Sequence, residues 1–258
     1  MGRRLVVAVA AGILGWSGIV IAGNQLAPPT HPAAQAALRY FESVQDRDVE
    51  TFLRELRRPA PSPSFRAVIL ENLPPEGRLS PTNQETAQLA AIKPLLRLHE
   101  REDSLDLHLF TYGGGAFTGL HARSVLLISR EALGLLNTDE LVAIVGHELG
   151  HDYVWDEFER AQQQADNRRL QELELRCDGI AVLAMTRLGV DPDRLISALT
   201  KLARHNERLS TAPHPNEARY APLEQRARFV RAMATLTAGS PRFAPRSSVS
   251  SYSLRIVR

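Results

Sequence analysis

Leu141-Val-Ala-Ile-Val-Gly146-His147-Glu148-Leu-Gly150-His151 is the stretch from which the rest of the chain can be read. It is preceded by Asn137-Thr-Asp-Glu140, where Asn137 suits a helix N-cap and Glu140 falls at the capping-box position. Before the first histidine the helix is apolar nearly all round, so it belongs in a core. His147 and His151 stand four apart, and residues at that spacing share a helix face. Two imidazoles on one face can grip one metal ion. Zinc takes histidine nitrogens at about 2.0–2.1 Å and, in catalytic sites, leaves one position open for water. Glu148 sits beside that position, as a general base for the water. Random placement would produce this HExxH pattern roughly 0.02 times in such a chain. Two ordinary buried histidines would not explain the acid between them in an apolar helix.

Three protein ligands are needed, so a third must lie further along. Glu157 is a poor candidate. At about 100° per residue it faces about 240° away from His151 on a straight helix. No third histidine stands there either, which excludes the elongated HExxHxxGxxH pattern. Glu174 is better placed. Leu170, Glu174, Cys177, Ala181, Ala184 and Leu188 form a helical stripe that is apolar apart from Glu174. A carboxylate on a buried stripe needs a partner or a metal. The chain between His151 and Glu174 is long enough for one helix to end and the next to return antiparallel. Asp178, one turn beyond Glu174, suits a hydrogen bond to the outer nitrogen of a ligating histidine, fixing its tautomer. Cys177 reads as small core filler.

The pair His147-Glu148-Leu-Gly-His151 and Glu174-Leu-Arg-Cys-Asp178 resembles a family of zinc metalloendopeptidases. It contains the CAAX prenyl proteases, the bacterial heat-shock membrane protease and the mitochondrial overlapping-activity protease. The resemblance covers residues 104–232. It implies a zincin-like domain of the gluzincin group, with one Zn2+ per chain on His147, His151 and Glu174, Glu148 as the catalytic base, and protein or peptide substrates. His214-Pro215-Asn-Glu217-Ala-Arg219 resembles the family's His-Pro element, with the Arg one residue nearer than usual. It implies that His214 approaches the metal, as a transition-state donor or an inhibitory ligand. An unidentified tyrosine is the alternative oxyanion donor. Ala116-Phe117, in Gly115-Ala-Phe-Thr-Gly119, resembles the family's Asn-Ala-Phe strand without the Asn, and implies substrate binding by strand addition. Many relatives insert a transmembrane hairpin before the Glu. Here residues 155–172 are too polar for lipid, which implies a soluble or N-terminally tethered envelope member.

The remaining sequence sets the frame. Its 258 residues are 44% apolar and 23% charged, values of an ordinary globular protein. Met1-Gly-Arg3-Arg4 precedes the uncharged run Leu5–Ala22, the pattern of a signal peptide or N-terminal membrane anchor over 1–22. Export places the chain in a bacterial periplasm or on the outer face of the inner membrane, touching lipid only through residues 5–22 if these are uncleaved. Lys plus Arg number 31 and Asp plus Glu 29, so setting Arg3 and Arg4 aside leaves no basic excess for nucleic acid. One cysteine excludes a disulfide framework.

Residues 23–32 read as a linker. Residues 33–80 read as two short helices, with Asp48 as an N-cap, followed by the Pro-rich linker Pro59-Ala-Pro61-Ser-Pro63-Ser. A metallopeptidase domain spans 81–237 and a mobile tail 238–258, in which Tyr252–Val257 could add a strand. Within the domain, periodicity predicts a helix over 82–100 kinked at Pro94, and strands over 105–110 and 124–129 in a hairpin or meander. Helices follow to the end, the last over 222–236. The expected fold class is mainly α with a small β-sheet, α+β. The function expected is a zinc endopeptidase of the cell envelope. The alternatives are a metal-dependent hydrolase with another substrate and a zinc-loaded, weakly active chaperone-like or binding module.

Overall fold

The computed structural model describes residues 28–44, 47–73, 78–111, 113, 115–209 and 217–238. The expected signal or anchor at 1–22, His214 and the tail beyond residue 238 lie outside the described residues. Described helices dominate: α1 (Pro32–Glu42), α2 (Val49–Leu56), α3 (Pro63–Glu71), α4 (Asn83–Ala90), α5 (Lys93–Leu98), α6 (Arg130–Leu135), α7 (Thr138–Gln163), α8 (Asn167–Leu188), α9 (Asp193–Glu207) and α10 (Leu223–Ala238). Four short strands, β1 (Arg78–Leu79), β2 (Asp106–Phe110), β3 (Thr118–His121) and β4 (Val125–Ser129), form one sheet in the order β1-β2-β4-β3. The mainly helical α+β class is as expected. No described helix is long and apolar enough to cross a membrane.

The centre is the α7–α8 pair. Asn137 caps α7 by accepting from the Glu140 N–H at 2.9 Å, and Glu140 returns a bond to the Asn137 N–H at 2.8 Å. The helix then runs unbroken, so Glu157 does turn away; it pairs with Arg169 and Arg176. α8 returns antiparallel, and small residues let the two backbones close in. A Cβ on Gly150 would lie 2.7 Å from the Cα of Cys177, and one on Gly146 would lie 3.4 Å from that of Ala181. Cys177 is fully buried at this crossing, as filler. α1 covers α8 on the other side, where Phe41 packs against Gly179 with no room for a Cβ. One apolar cluster therefore runs from Ala33 in α1 to Met233 in α10, and the segment expected to stand ahead of residue 81 is part of that core.

Three local expectations are corrected. The single helix over 82–100 is two, α4 and α5, broken at Ala91–Ile92. Pro94 lacks the N–H that would bond to the Ala90 carbonyl and its ring clashes there, so it opens α5 instead of bending one long helix. The linker around Pro59–Ser64 ends early, because Ser62 caps α3 by accepting from the Phe65 N–H at 3.2 Å and Pro63 fits its first turn.

The third concerns the sheet, which is no simple meander. β2 and β4 pair in parallel, with Asp106 opposite Val125 and Phe110 opposite Ser129. β3 and β4 make an antiparallel hairpin around Ala122 and Arg123, whose φ values of 49° and 56° suit a primed turn. The hairpin inserts β4 between β2 and β3, leaving β3 as an edge strand beside α7.

Candidate metal centre and cleft

His147, His151 and Glu174 meet between α7 and α8, each offering a ligand atom within 4.8 Å of the others. His147 Nε2 lies 3.3 Å from Glu174 Oε2, and His151 Nε2 lies 3.9 Å from Glu174 Oε1. Ligands about 2.0–2.2 Å from a tetrahedral ion sit roughly 3.3–3.5 Å apart, so the cluster is near the spacing that one ion needs. Glu174 is 1% exposed, and neither of its carboxylate oxygens accepts a hydrogen bond from a described residue. Two orphaned oxygens on a buried carboxylate beside two imidazole nitrogens are what a cation would satisfy. The site can hold a metal ion.

Asp178 takes the outer nitrogen of His147, with Nδ1 to Oδ1 at 2.8 Å. It is in turn gripped by Arg226 of α10, whose Nε donates to Oδ2 at 2.7 Å and whose Nη2 donates to Oδ1 at 2.5 Å. Burial alone would raise the Asp178 pKa, but Arg226 and His147 outweigh it and hold the carboxylate below its usual range. The Asp178 carboxylate is therefore ionised, and it orients His147 so that Nε2 faces Glu174. Burial would lower the His147 pKa. The Asp178 carboxylate that accepts from Nδ1, and the Glu174 carboxylate close to Nε2, reverse this and push it up to about 10 in the metal-free protein. A metal must displace that proton to bind.

Glu148 lines the same cleft. The Thr118 hydroxyl donates to its Oε1 at 2.8 Å, while Oε2 is buried without a described partner. Ala116, Phe117, Leu199, Leu202 and Tyr220 close the walls. Burial pushes the Tyr220 phenol well above its ordinary pKa, so it stays a hydroxyl donor.

Ala116 and Phe117 thus lie where substrate was expected, but their main-chain groups are taken. Asn206 of α9 accepts from the Ala116 N–H at 2.8 Å and donates to its carbonyl at 2.7 Å. Ser129 holds Phe117 through its hydroxyl at 2.9 Å and its N–H at 2.8 Å. An added strand therefore finds no open main-chain group at these two residues, and β3 proper, from Thr118, is the available edge.

Thr118, Asn206, Tyr220 and Arg226 were not found from the sequence. Arg226 carried one signal, an arginine on the apolar face of the last helix. Arg219 belongs to a short 3-10 turn, Glu217–Arg219, and it is Arg226 that engages Asp178. No family model matches the chain, and no curated protein matches it.

Proposed function

We propose that the chain is a zinc-dependent endopeptidase of the bacterial cell envelope, acting in protein quality control or processing, with the zincin-like fold its motifs resemble. The observation that carries the reading is the convergence of His147, His151 and the orphaned Glu174 carboxylate in one cleft, with Glu148 on the same wall. His147, His151 and Glu174 would hold the ion. Zinc there would supply the Lewis acidity that lets water attack near neutral pH.

The chain's own groups do the rest. Thr118 holds one oxygen of Glu148, leaving the other to take the proton of the attacking water. Glu148 then passes that proton to the leaving amine. Tyr220 lines the same cleft and would donate its hydroxyl to the developing oxyanion, sharing or replacing the part expected of His214. The edge of β3 receives an extended peptide. Location in the periplasm or on the outer face of the inner membrane rests on the basic end and uncharged run of residues 1–22.

The test is a fluorogenic protein substrate with the zinc-loaded full chain. Glu148→Gln should keep one zinc per chain and lose about 10²–10⁴-fold in turnover, the usual worth of a general base. Cleavage that persists unchanged in this variant refutes the reading.

A further inference from the structure

We propose that the cavity between the end of α2 and the turn after α5 binds a phosphate-group anion, in a site separate from the metal cleft. Arg54, Arg57, Arg58, Pro59, Ala60, Glu100 and Arg101 line it. Four guanidiniums thus face one carboxylate. The cavity measures about 350 Å³, at the small end of ligand sites, which run about 300–1,000 Å³.

The sequence builds this site deliberately. α5 ends in a backbone reversal in which Glu100 takes φ 50° and the Arg101 N–H bonds back to the Leu96 carbonyl at 2.8 Å. A left-handed residue at that position is usually glycine. The reversal turns Arg101 inward, where it is 2% exposed. Its Nη2 donates to the Arg123 carbonyl, and its Nε sits 3.6 Å from Asp152 Oδ2, too far for a hydrogen bond. Nε and Nη1 have no described hydrogen-bond partner. A buried guanidinium with two unmade bonds is costly unless something completes it.

Local acids do not complete it. Arg123 Nε occupies Asp152 Oδ1 at 2.5 Å. Glu100 is engaged by Arg57 at 2.6 Å, and Arg58 pairs with Asp156. Arg54 bonds only to the neutral Thr51 hydroxyl among described side chains, at 3.1 Å. Five arginines, counting Arg123, therefore share three acids, and like charges crowd one cavity. An anion with several oxygens and more than one charge suits that lining, because each guanidinium can offer two parallel donors to it. A phosphate group fits this better than a single carboxylate. It can come as a free phosphate or as a phospholipid headgroup.

The probe is inorganic phosphate, titrated into the full chain against chloride at matched ionic strength, with thermal unfolding as readout. The expected result is a saturating rise in Tm that is lost in the double variant Arg54→Gln, Arg57→Gln. Arg54 is exposed and Arg57 partly exposed, so the substitutions leave the core intact, and the Tm of the variant in chloride checks that it folds. A parallel arm measures co-sedimentation with vesicles of phosphatidylcholine, alone or mixed with phosphatidylglycerol. Binding that needs phosphatidylglycerol and fails in the double variant assigns the site to a headgroup. A Tm response without it assigns the site to soluble phosphate. Phosphate held at the metal centre would stabilise both chains equally. That outcome, or no variant-sensitive response in either arm, overturns the proposal. Neither arm depends on peptidase activity.

Discussion

At the scale of single residues, charge pairing decides what the cleft can do. Asp178 is fully buried and serves two partners, His147 and Arg226. Replacing it with Asn keeps the shape but removes the charge that orients one ligand and satisfies the other helix. Asp178→Asn should weaken zinc binding about 10–100-fold, the usual cost of losing such a support. It should also lower stability by about 3–5 kcal/mol, because Arg226 is left buried without its counter-charge. Competition with a zinc indicator reads the first effect and urea unfolding of the metal-free chain reads the second. Unchanged affinity would show that the histidine needs no such support. Glu174 was legible in the sequence because it breaks an apolar stripe on its own helix, and Asp178 because it flanks that stripe one turn later. Arg226 and Tyr220 were not, since their partners lie on other elements and periodicity reports only a helix's own faces.

At the scale of elements, the geometry of the cluster depends on how closely α7 and α8 approach. Gly150 lies one residue before His151 and faces Cys177 at a distance that excludes a Cβ. Gly150→Ala should therefore push the helices apart, costing about 1–3 kcal/mol as overpacking does, and should draw Glu174 away from the histidines. Gly134→Ala is the contrast. Its Cβ would meet nothing within 4 Å, and at this exposed helix position the change should stabilise by about 0.5–1 kcal/mol. Tm and zinc content of the two variants check both. If Gly150→Ala holds zinc like the parent chain, the close approach is not what sets the site. The helices of the α7–α10 region were read from the sequence, and the cap of α7 with them, whereas α3 was not. Strand order was not. Residue patterns identify β2 and β4, but nothing local shows that β4 inserts between β2 and β3, because pairing is a long-range choice among similar apolar strands. The split between α4 and α5 was legible in principle, since Pro94 was seen but taken for a bend.

At the scale of the whole molecule, the larger of the two apolar clusters among the described residues includes side chains from before residue 81. The sequence suggested a division there because prolines 59, 61 and 63 read as a linker, whereas α1 and α2 lie on α8. A buried histidine at the rim of this core gives the fold a pH dependence. His99, just past α5, is 1% exposed, and its Nδ1 lies 2.7 Å from the Tyr153 hydroxyl. Burial, then the nearby charges of Arg101 and Arg57, depress its pKa to about 3. No described acid faces its Nε2, which has no described partner. The folded state thus refuses a proton that the unfolded chain accepts at about pH 6.5. A depressed folded pKa means stability that is complete above about pH 6.5 and lost as pH falls toward about 3. The slope of that loss is about 1.4 kcal/mol per pH unit. Between about pH 6.5 and 5, before most carboxylates titrate, the loss from His99 alone should be about 2 kcal/mol. His99→Gln keeps a hydrogen-bonding partner for Tyr153 but cannot take the proton. Urea midpoints of the metal-free chain across this range should therefore fall less steeply in His99→Gln than in the parent, and since both chains share every other titrating group, the difference isolates His99. Parallel curves would mean that His99 is protonated in the folded state despite its burial.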